Sequence, residues 1–386
     1  MKYFILFFIS WFWGYSQNTY SSLEEALANP SDVKVLDISS QNLTKLPKQI
    51  KKFSHLKVLK VSGNLLEKLP EEIGYLSELE TLIVNNNLLT ELPKSFSRLN
   101  QLKFLSLKDN KLKTFPEAVF SLFSLQYLAL DKNGFSVVPT EIKNLQKLSH
   151  LSLQRNLLAT IPKDFFLLSQ LKYLNLSGNR LKYLPEGWQS LKNLSYLNLK
   201  HNKLLELPAS LFQIPNLKYL NIEYNLLSEF PTEIGGLTSL EIFLAAENQL
   251  EKLPENIGNW KNIRKMNISN NYLGTLPRTI GNLTALEELY LQNNELTKLP
   301  ETLGNLVHLK KLSIANNSLK NLPSSLANLP ALEYLNLANN ELTTLPQAFK
   351  QKKNLKKLII SNNPIDIIFV QELRLALEDN DTFIEF

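Results

Sequence analysis

Apolar and polar positions recur along the chain with a fixed period of 23 residues. With Val33 at place one, the register runs through 14 complete repeats to Asn354 and into a partial fifteenth. In a repeat such as LKYLNLSGNRLKYLPEGWQSLKN, which begins at Leu171, apolar residues occupy places four and six, while places three and five vary between repeats. Because side chains alternate along an extended strand, this pattern predicts one short strand per repeat. Stacked in register, the strands form a parallel sheet with one face on a core and the other in water.

An asparagine at place nine and a proline at place fifteen mark the repeats. Asparagine occupies place nine in 14 of the 15 repeats, with Gln41 the exception, and proline occupies place fifteen in all 14 complete repeats. A carboxamide both donates and accepts hydrogen bonds, so we expect it to satisfy turn backbone groups that stacking would bury. Proline cannot donate a hydrogen bond to a sheet and therefore suits a return segment, a loose turn or short helix. Places 18 and 21, such as Ile73 and Leu76, are predicted to return to the core.

These positions resemble the leucine-rich repeat pattern LxxLxLxxNxL, followed by LPxxIxxL, over about 330 of the 386 residues. The resemblance implies an α/β solenoid curved like a horseshoe. Its concave side would be a parallel β-sheet and its convex side irregular or short-helical. It also implies that a partner binds on the concave side.

The segments outside the array differ from the repeats. Residues 1–17 (MKYFILFFISWFWGYSQ) place Lys2 before an apolar run, which predicts a secretory signal peptide; an uncleaved anchor is the alternative. Residues 18–32 offer Ser21 or Ser22 as the cap of a short helix, and residues 369–386 place Phe369, Leu373 and Leu377 on one helical face. We therefore expect helical caps at both ends of the array, which spans residues 33–368.

Composition limits the class and the cellular location of the protein. The chain has 44% hydrophobic and 20% charged residues. Its net charge is +6, and it contains no run of basic residues typical of nucleic-acid binding. It has no cysteine, whereas extracellular animal and plant members of the resembled family usually carry disulfide-bonded caps. An exported bacterial protein, secreted, periplasmic or at the cell surface, with no membrane span in the mature chain, is the favoured interpretation.

Nothing in the sequence indicates catalysis, a cofactor or a metal site. The four histidines, His55, His150, His201 and His308, are predicted to lie too far apart to share a metal ion. Glu223 and Glu247 lie one strand apart on the predicted concave side, but no pocket pattern accompanies them. The chain is therefore predicted not to be an enzyme.

The candidate binding site comprises concave positions that the repeat leaves free, which are places two, three, five, seven and eight. Place three carries a ring in six consecutive strands, and polar residues flank these rings at places five and seven. The predicted partner-binding residues are Phe104, Tyr127, His150, Tyr173, Tyr196 and Tyr219, with Asn175, Asn198, Asn221, Lys108, Asp131, Gln154, Lys200 and Glu223.

Rings flanked by amides and a few charges are typical of surfaces that recognise a protein or peptide. Three alternatives stay open: a cell-surface glycan could stack on the same rings, the rings could only stabilise the sheet, or the chain could be a cytoplasmic scaffold with its N-terminal segment retained. Place two instead alternates in sign, which predicts a ladder of ion pairs along Lys218, Glu241, Arg264, Glu287, Lys310, Glu333 and Lys356.

Overall fold

The computed structural model describes residues 18–378 and 382–386. The predicted signal peptide, residues 1–17, lies outside the described residues. The chain divides into two compact units, Met1–Asn179 and Arg180–Phe386, here called the N-terminal and C-terminal units. Each is described separately.

Each repeat contributes one short strand, as the apolar pattern predicts. In the N-terminal unit the strands are β1 (Thr19–Tyr20), β2 (Val35–Asp37), β3 (Val58–Lys60), β4 (Thr81–Ile83), β5 (Phe104–Ser106), β6 (Tyr127–Ala129), β7 (His150–Ser152) and β8 (Tyr173–Asn175). In the C-terminal unit they are β9 (Tyr196–Asn198), β10 (Tyr219–Asn221), β11 (Ile242–Leu244), β12 (Lys265–Asn267), β13 (Glu288–Tyr290), β14 (Lys311–Ser313), β15 (Tyr334–Asn336), β16 (Lys357–Ile359) and β17 (Phe383–Glu385).

Within each unit, consecutive strands pair in parallel and in the register of the repeat. Tyr127 of β6 lies opposite His150 of β7, and Tyr219 of β10 lies opposite Ile242 of β11. Leucines at places four and six, such as Leu174 and Leu176, are fully buried, so one sheet face packs on the core. The predicted α/β solenoid of leucine-rich repeats is confirmed.

The return segments are short 3-10 helices, as predicted. They span Lys48–Lys52, Glu71–Tyr75, Lys94–Arg98, Glu117–Ser121, Thr140–Asn144, Lys163–Leu167, Trp188–Ser190, Ala209–Gln213, Thr232–Gly236, Glu255–Asn259, Arg278–Asn282, Glu301–Asn305, Ser324–Asn328 and Gln347–Gln351. All begin directly after the place-fifteen proline except Trp188–Ser190, which begins after Gly187 at a φ of 126°. Ile73 and Leu76 are fully buried, which confirms that places 18 and 21 return to the core.

The place-nine asparagines hydrogen-bond to neighbouring repeats as predicted. The Oδ1 atom of Asn110 accepts a hydrogen bond from the Leu89 amide at 3.0 Å. Its Nδ2 atom donates to the carbonyls of Val84 at 2.9 Å and Leu107 at 3.0 Å. Each such side chain therefore joins its own turn to the backbone of the preceding repeat.

Both ends carry a helix and a strand. Helix α1 (Leu23–Ala28) begins after Ser22, whose hydroxyl accepts a hydrogen bond from the Glu25 amide at 3.4 Å. Helix α2 (Ile367–Leu377) buries Phe369, Leu373 and Leu377, and β17 then pairs with β16. The sequence predicts neither terminal strand, and the C-terminal end is not purely helical.

Candidate functional site

In the N-terminal unit, four of the predicted rings lie side by side on the sheet face away from the core, which we call the outer strand face. The rings of Phe104 and Tyr127 stack with centroids 4.0 Å apart and planes 8° apart. Centroid distances are 5.9 Å between Tyr127 and His150 and 5.8 Å between His150 and Tyr173. The in-register strands β5 to β8 hold the four rings in one column.

Burial in this column shifts the pKa values of two of its side chains. Tyr127 is only 6% exposed because Phe104 and His150 flank it, and burial, helped by the charge of Asp131, raises the pKa of Tyr127. Burial lowers the pKa of His150 to about 4, and the charge of Lys172 acts in the same direction. His150 is therefore neutral at pH 7.

The polar residues beside this column bond to one another across strands. Asp131 accepts hydrogen bonds from the Ser152 hydroxyl and from the Gln154 amide, the latter at 3.0 Å, and pairs with Lys108 at 3.0 Å. The Gln154 side chain accepts a hydrogen bond from Asn175 at 3.0 Å. The structure thus brings together the four predicted flanking residues of this unit as a connected network.

In the C-terminal unit, Tyr196 and Tyr219 stack with centroids 4.4 Å apart and planes 6° apart. Burial raises the pKa of Tyr219 to about 12. Both rings are half-buried and lie on the outer strand face of β9 and β10. Four of the six predicted rings thus belong to the N-terminal unit and two to the C-terminal unit.

Glu223 is the centre of the polar network beside these two tyrosines. It is 9% exposed, pairs with Lys200 at 3.0 Å and accepts a hydrogen bond from Asn221 at 3.2 Å. Its other carboxylate oxygen accepts from Asn267 at 3.3 Å, across the intervening strand β11. Asn198, the last predicted residue, accepts a hydrogen bond from the Lys200 amide at 3.0 Å. The sequence interpretation missed Asn267, whose role depends on this contact between non-adjacent strands.

The predicted charge ladder is present in the C-terminal unit. Lys218 pairs with Glu241 at 2.9 Å, Glu287 lies 3.6 Å from Arg264 and 2.8 Å from Lys310, and Glu333 pairs with Lys356 at 2.8 Å. A second ladder runs beside it at place three, where Glu288 lies between two lysines. Burial acts to raise the pKa of Glu288, but hydrogen bonds from Lys265 and Lys311 outweigh it and lower that pKa to about 2.

Place eight, treated above as free, has a backbone requirement that the sequence interpretation missed. The residue there has a left-handed backbone in all 15 repeats, with φ between 51° and 58° at the thirteen non-glycine positions. Asparagine and glycine tolerate this conformation, and they occupy place eight in eight repeats. Bulkier residues adopt it in the middle of the chain: Lys132, Arg155, His201, Tyr224 and Glu247. Such residues carry backbone strain, which concentrates at functional sites.

Two further findings apply to residues 18–378 and 382–386. No helix there is both long and apolar enough to cross a membrane. No group of three metal-binding side chains converges in the same residues.

One strand per repeat, a place-nine asparagine ladder and 3-10 return segments define a leucine-rich repeat solenoid. The family profile described as "Leucine-rich repeat region" matches residues 18–122 and 209–298, and that described as "Leucine rich repeat" matches residues 123–181, 146–204 and 307–365. The chain belongs to the leucine-rich repeat family.

Solved structures agree with this assignment. A leucine-rich repeat protein of Leptospira interrogans is 36% identical, with a TM-score of 0.85 over 96% of this chain and 100% of that one. The TDR receptor is 29% identical, with a TM-score of 0.80 over 95% of this chain and 66% of the receptor chain. The plant peptide hormone receptor RGFR1, in complex with RGF2, is 25% identical, with a TM-score of 0.66 over 92% of this chain and 70% of that one. No curated protein sequence matches the chain significantly.

Proposed function

We propose that this protein is a non-enzymatic binding module that recognises a protein or peptide partner through the outer strand face. The observation that carries the proposal is the set of closely stacked rings at place three. Phe104, His150, Tyr173, Tyr196 and Tyr219 remain partly exposed on a face where repeat packing requires no particular side chain. Rigid, half-buried rings bind a partner with little loss of conformational entropy.

The buried carboxylates support a binding role rather than catalysis. Asp131 and Glu223 are the buried acidic side chains of the outer strand face, and each is paired with a lysine and held by hydrogen bonds. A general acid or base needs access to a substrate. Carboxylates engaged in this way stabilise the arrangement of the rings instead.

The ring geometry favours a protein or peptide over the glycan considered above. A sugar stacks on a free aromatic face. In the Phe104–Tyr127 and Tyr196–Tyr219 pairs, nearly parallel rings cover each other's faces. The ring edges on the outer strand face can contact the side chains and backbone groups of a polypeptide. RGFR1, a receptor of similar fold, is itself a peptide hormone receptor.

Replacing Tyr196 and Tyr219 together with alanine is expected to reduce capture of the partner at least about tenfold, because buried ring anchors carry much of the energy of an interface. The measurement is a quantitative pull-down with immobilised protein. The matched control is Tyr75→Ala/Tyr272→Ala, which removes two tyrosines that are 57% and 53% exposed and lie outside the strands. Equal capture by the two double variants, with both still folded, would rule out the tyrosine pair as the binding site.

We also propose that the protein is exported, and from a bacterium, as the apolar segment at residues 1–17 and the absence of cysteine indicate. Mass spectrometry of the mature protein purified from its native cells is expected to find an N terminus near residue 18. A mature chain that still begins at Met1 would contradict cleavage and favour the cytoplasmic scaffold.

A further inference from the structure

The first repeats of the C-terminal unit carry more basic than acidic residues. Residues 180–206 contain five lysines or arginines and two glutamates. Lys200 is paired with Glu223, and Glu186 accepts a hydrogen bond from the Ser210 amide at 3.1 Å. Among the described residues, no carboxylate forms an ion pair with Arg180, Lys182 or Lys203, and all three side chains are exposed.

These cations form one surface, placed by the backbone that follows each strand. The Lys203 amide donates to the Leu181 carbonyl at 2.9 Å, and the Leu205 amide donates to the Lys182 carbonyl at 3.3 Å. Residues 180–182 and 203–205 therefore run side by side. Arg180 and Lys203 both occupy place ten of their repeats, so they lie in the same row. We call Arg180, Lys182 and Lys203 the basic edge.

Rings and aliphatic side chains border the basic edge. His201 and Tyr224 stack with centroids 4.2 Å apart, and both have the left-handed backbone of place eight, where the five last repeats carry asparagine. Tyr224 is 42% exposed, and Leu205 and Leu226 beside it are 37% and 40% exposed. The repeat imposes this backbone at every place eight, and a histidine or a tyrosine adopts it with more strain than an asparagine does.

We infer that the partner of this protein presents an acidic peptide segment to the basic edge, with an apolar side chain of that segment resting on Tyr224 and Leu226. This inference deepens the proposed function and rests on it for the link to Tyr196, which lies in the repeat of Lys203, and Tyr219, which lies in the repeat of Tyr224 and Leu226. Exposed cations without ion-pair partners attract carboxylates, and complementary charge speeds association and selects partners. The exposed aliphatic groups favour a polypeptide over a nucleic acid or a sulfated polysaccharide, because an apolar side chain can pack against Leu205 and Leu226.

The test is fluorescence anisotropy with a short labelled peptide of glutamate, aspartate and leucine, and with the same peptide carrying glutamine and asparagine in place of its acids. Wild-type protein is expected to bind the acidic peptide, to bind it more weakly as salt rises, and not to bind the neutral one. Arg180→Glu/Lys203→Glu is expected to weaken binding at least about tenfold, and Arg180→Gln/Lys203→Gln to weaken it less. If charge reversal prevents folding, the glutamine variant still tests the inference.

The matched control is Lys298→Glu/Lys353→Glu, the same change of charge on exposed lysines in later repeats of this unit that form no ion pair among the described residues. It is expected to change the Kd less than about twofold. Equal weakening by both reversals, equal binding of the neutral peptide, or no binding by the wild type would overturn the inference. So would a Leu226→Ser variant that binds as tightly as the wild type, since contact would then be through charge alone.

Failure of this inference can be separated from failure of the proposed function with the partner captured in the pull-down. If Tyr196→Ala/Tyr219→Ala loses that partner and Arg180→Glu/Lys203→Glu retains it, the acidic segment is wrong and the outer strand face remains the site. If only the charge variant loses the partner, the basic edge binds it and the tyrosine pair does not.

Discussion

Replacing Asn225 with alanine is expected to lower the free energy of unfolding by about 3 kcal/mol, because several buried backbone groups lose their hydrogen-bond partner at once. The Asn225 side chain accepts a hydrogen bond from the Leu204 amide at 3.0 Å and donates to the carbonyls of Leu199 at 3.1 Å and Ile222 at 3.0 Å. It is 5% exposed, so water cannot replace these bonds without opening the turn. Urea denaturation followed by circular dichroism measures the loss.

Asn305→Ala is the matched control for this substitution. Asn305 is an exposed asparagine at the end of the 3-10 helix Glu301–Asn305, so removal of its carboxamide is expected to change the free energy of unfolding by less than about 0.5 kcal/mol. Equal losses for the two variants would mean that the place-nine carboxamide does not hold the repeats together. A loss confined to Asn225→Ala supports the ladder as a main source of stability beyond the leucine core.

The scaffold could be predicted because the same places are buried or hydrogen-bonded in successive repeats. Leu174 and Leu176 face the core for the reason that their equivalents do in other repeats, and one carboxamide such as Asn179 suffices to identify the turn. Because the pattern recurs in fifteen repeats, departures in single repeats do not obscure it. The positions of the strand, the turn and the return helix can therefore be predicted from the sequence. The strand β17 has no such support, since it lies after the array and its pattern is not repeated.

The backbone at place eight was predictable in principle. Asparagine in the last five repeats, and glycine at Gly63 and Gly178, are the residues that tolerate a positive φ. This residue preference is not visible in the middle repeats, because residues such as Arg155 and Tyr224 occupy place eight there and adopt the same conformation. Place eight therefore varies in side chain but not in backbone conformation. The sequence interpretation did not identify this constraint or the resulting strain at His201 and Tyr224.

The internal bonding of the candidate site could not be predicted in the same way. Asp131 and Glu223 look like exposed charges in the sequence because they occupy variable places. Whether each is paired depends on the side chains of neighbouring strands, and Glu223 reaches Asn267 across the intervening strand β11. Contacts of this kind are set by particular combinations of neighbours, whereas the repeat pattern describes only what all repeats share.

Gly281→Ala is expected to lower the free energy of unfolding by about 2 to 3 kcal/mol through overpacking between two return helices. A Cβ atom at Gly281 would lie 2.2 Å from the carbonyl oxygen of Thr302 and 2.7 Å from its Cβ atom. The Thr302 hydroxyl also donates to the Arg278 carbonyl at 2.6 Å, which holds the next helix at this short distance. Because the closest atom belongs to the backbone, no change of side-chain rotamer can relieve the contact, and the two helices must separate.

Gly274→Ala is the control, because an added Cβ there meets no atom within 4 Å and the backbone is not left-handed. It is expected to leave stability unchanged or raise it by about 0.5 kcal/mol, since alanine restricts the unfolded chain. Place nineteen has no general need for glycine, as Phe120, Phe166 and Phe212 occupy it in other repeats. The loss at Gly281 must therefore come from the close approach of Thr302. Equal effects of the two alanines in urea denaturation would contradict that close approach, and with it the tight packing of return helices in the later repeats.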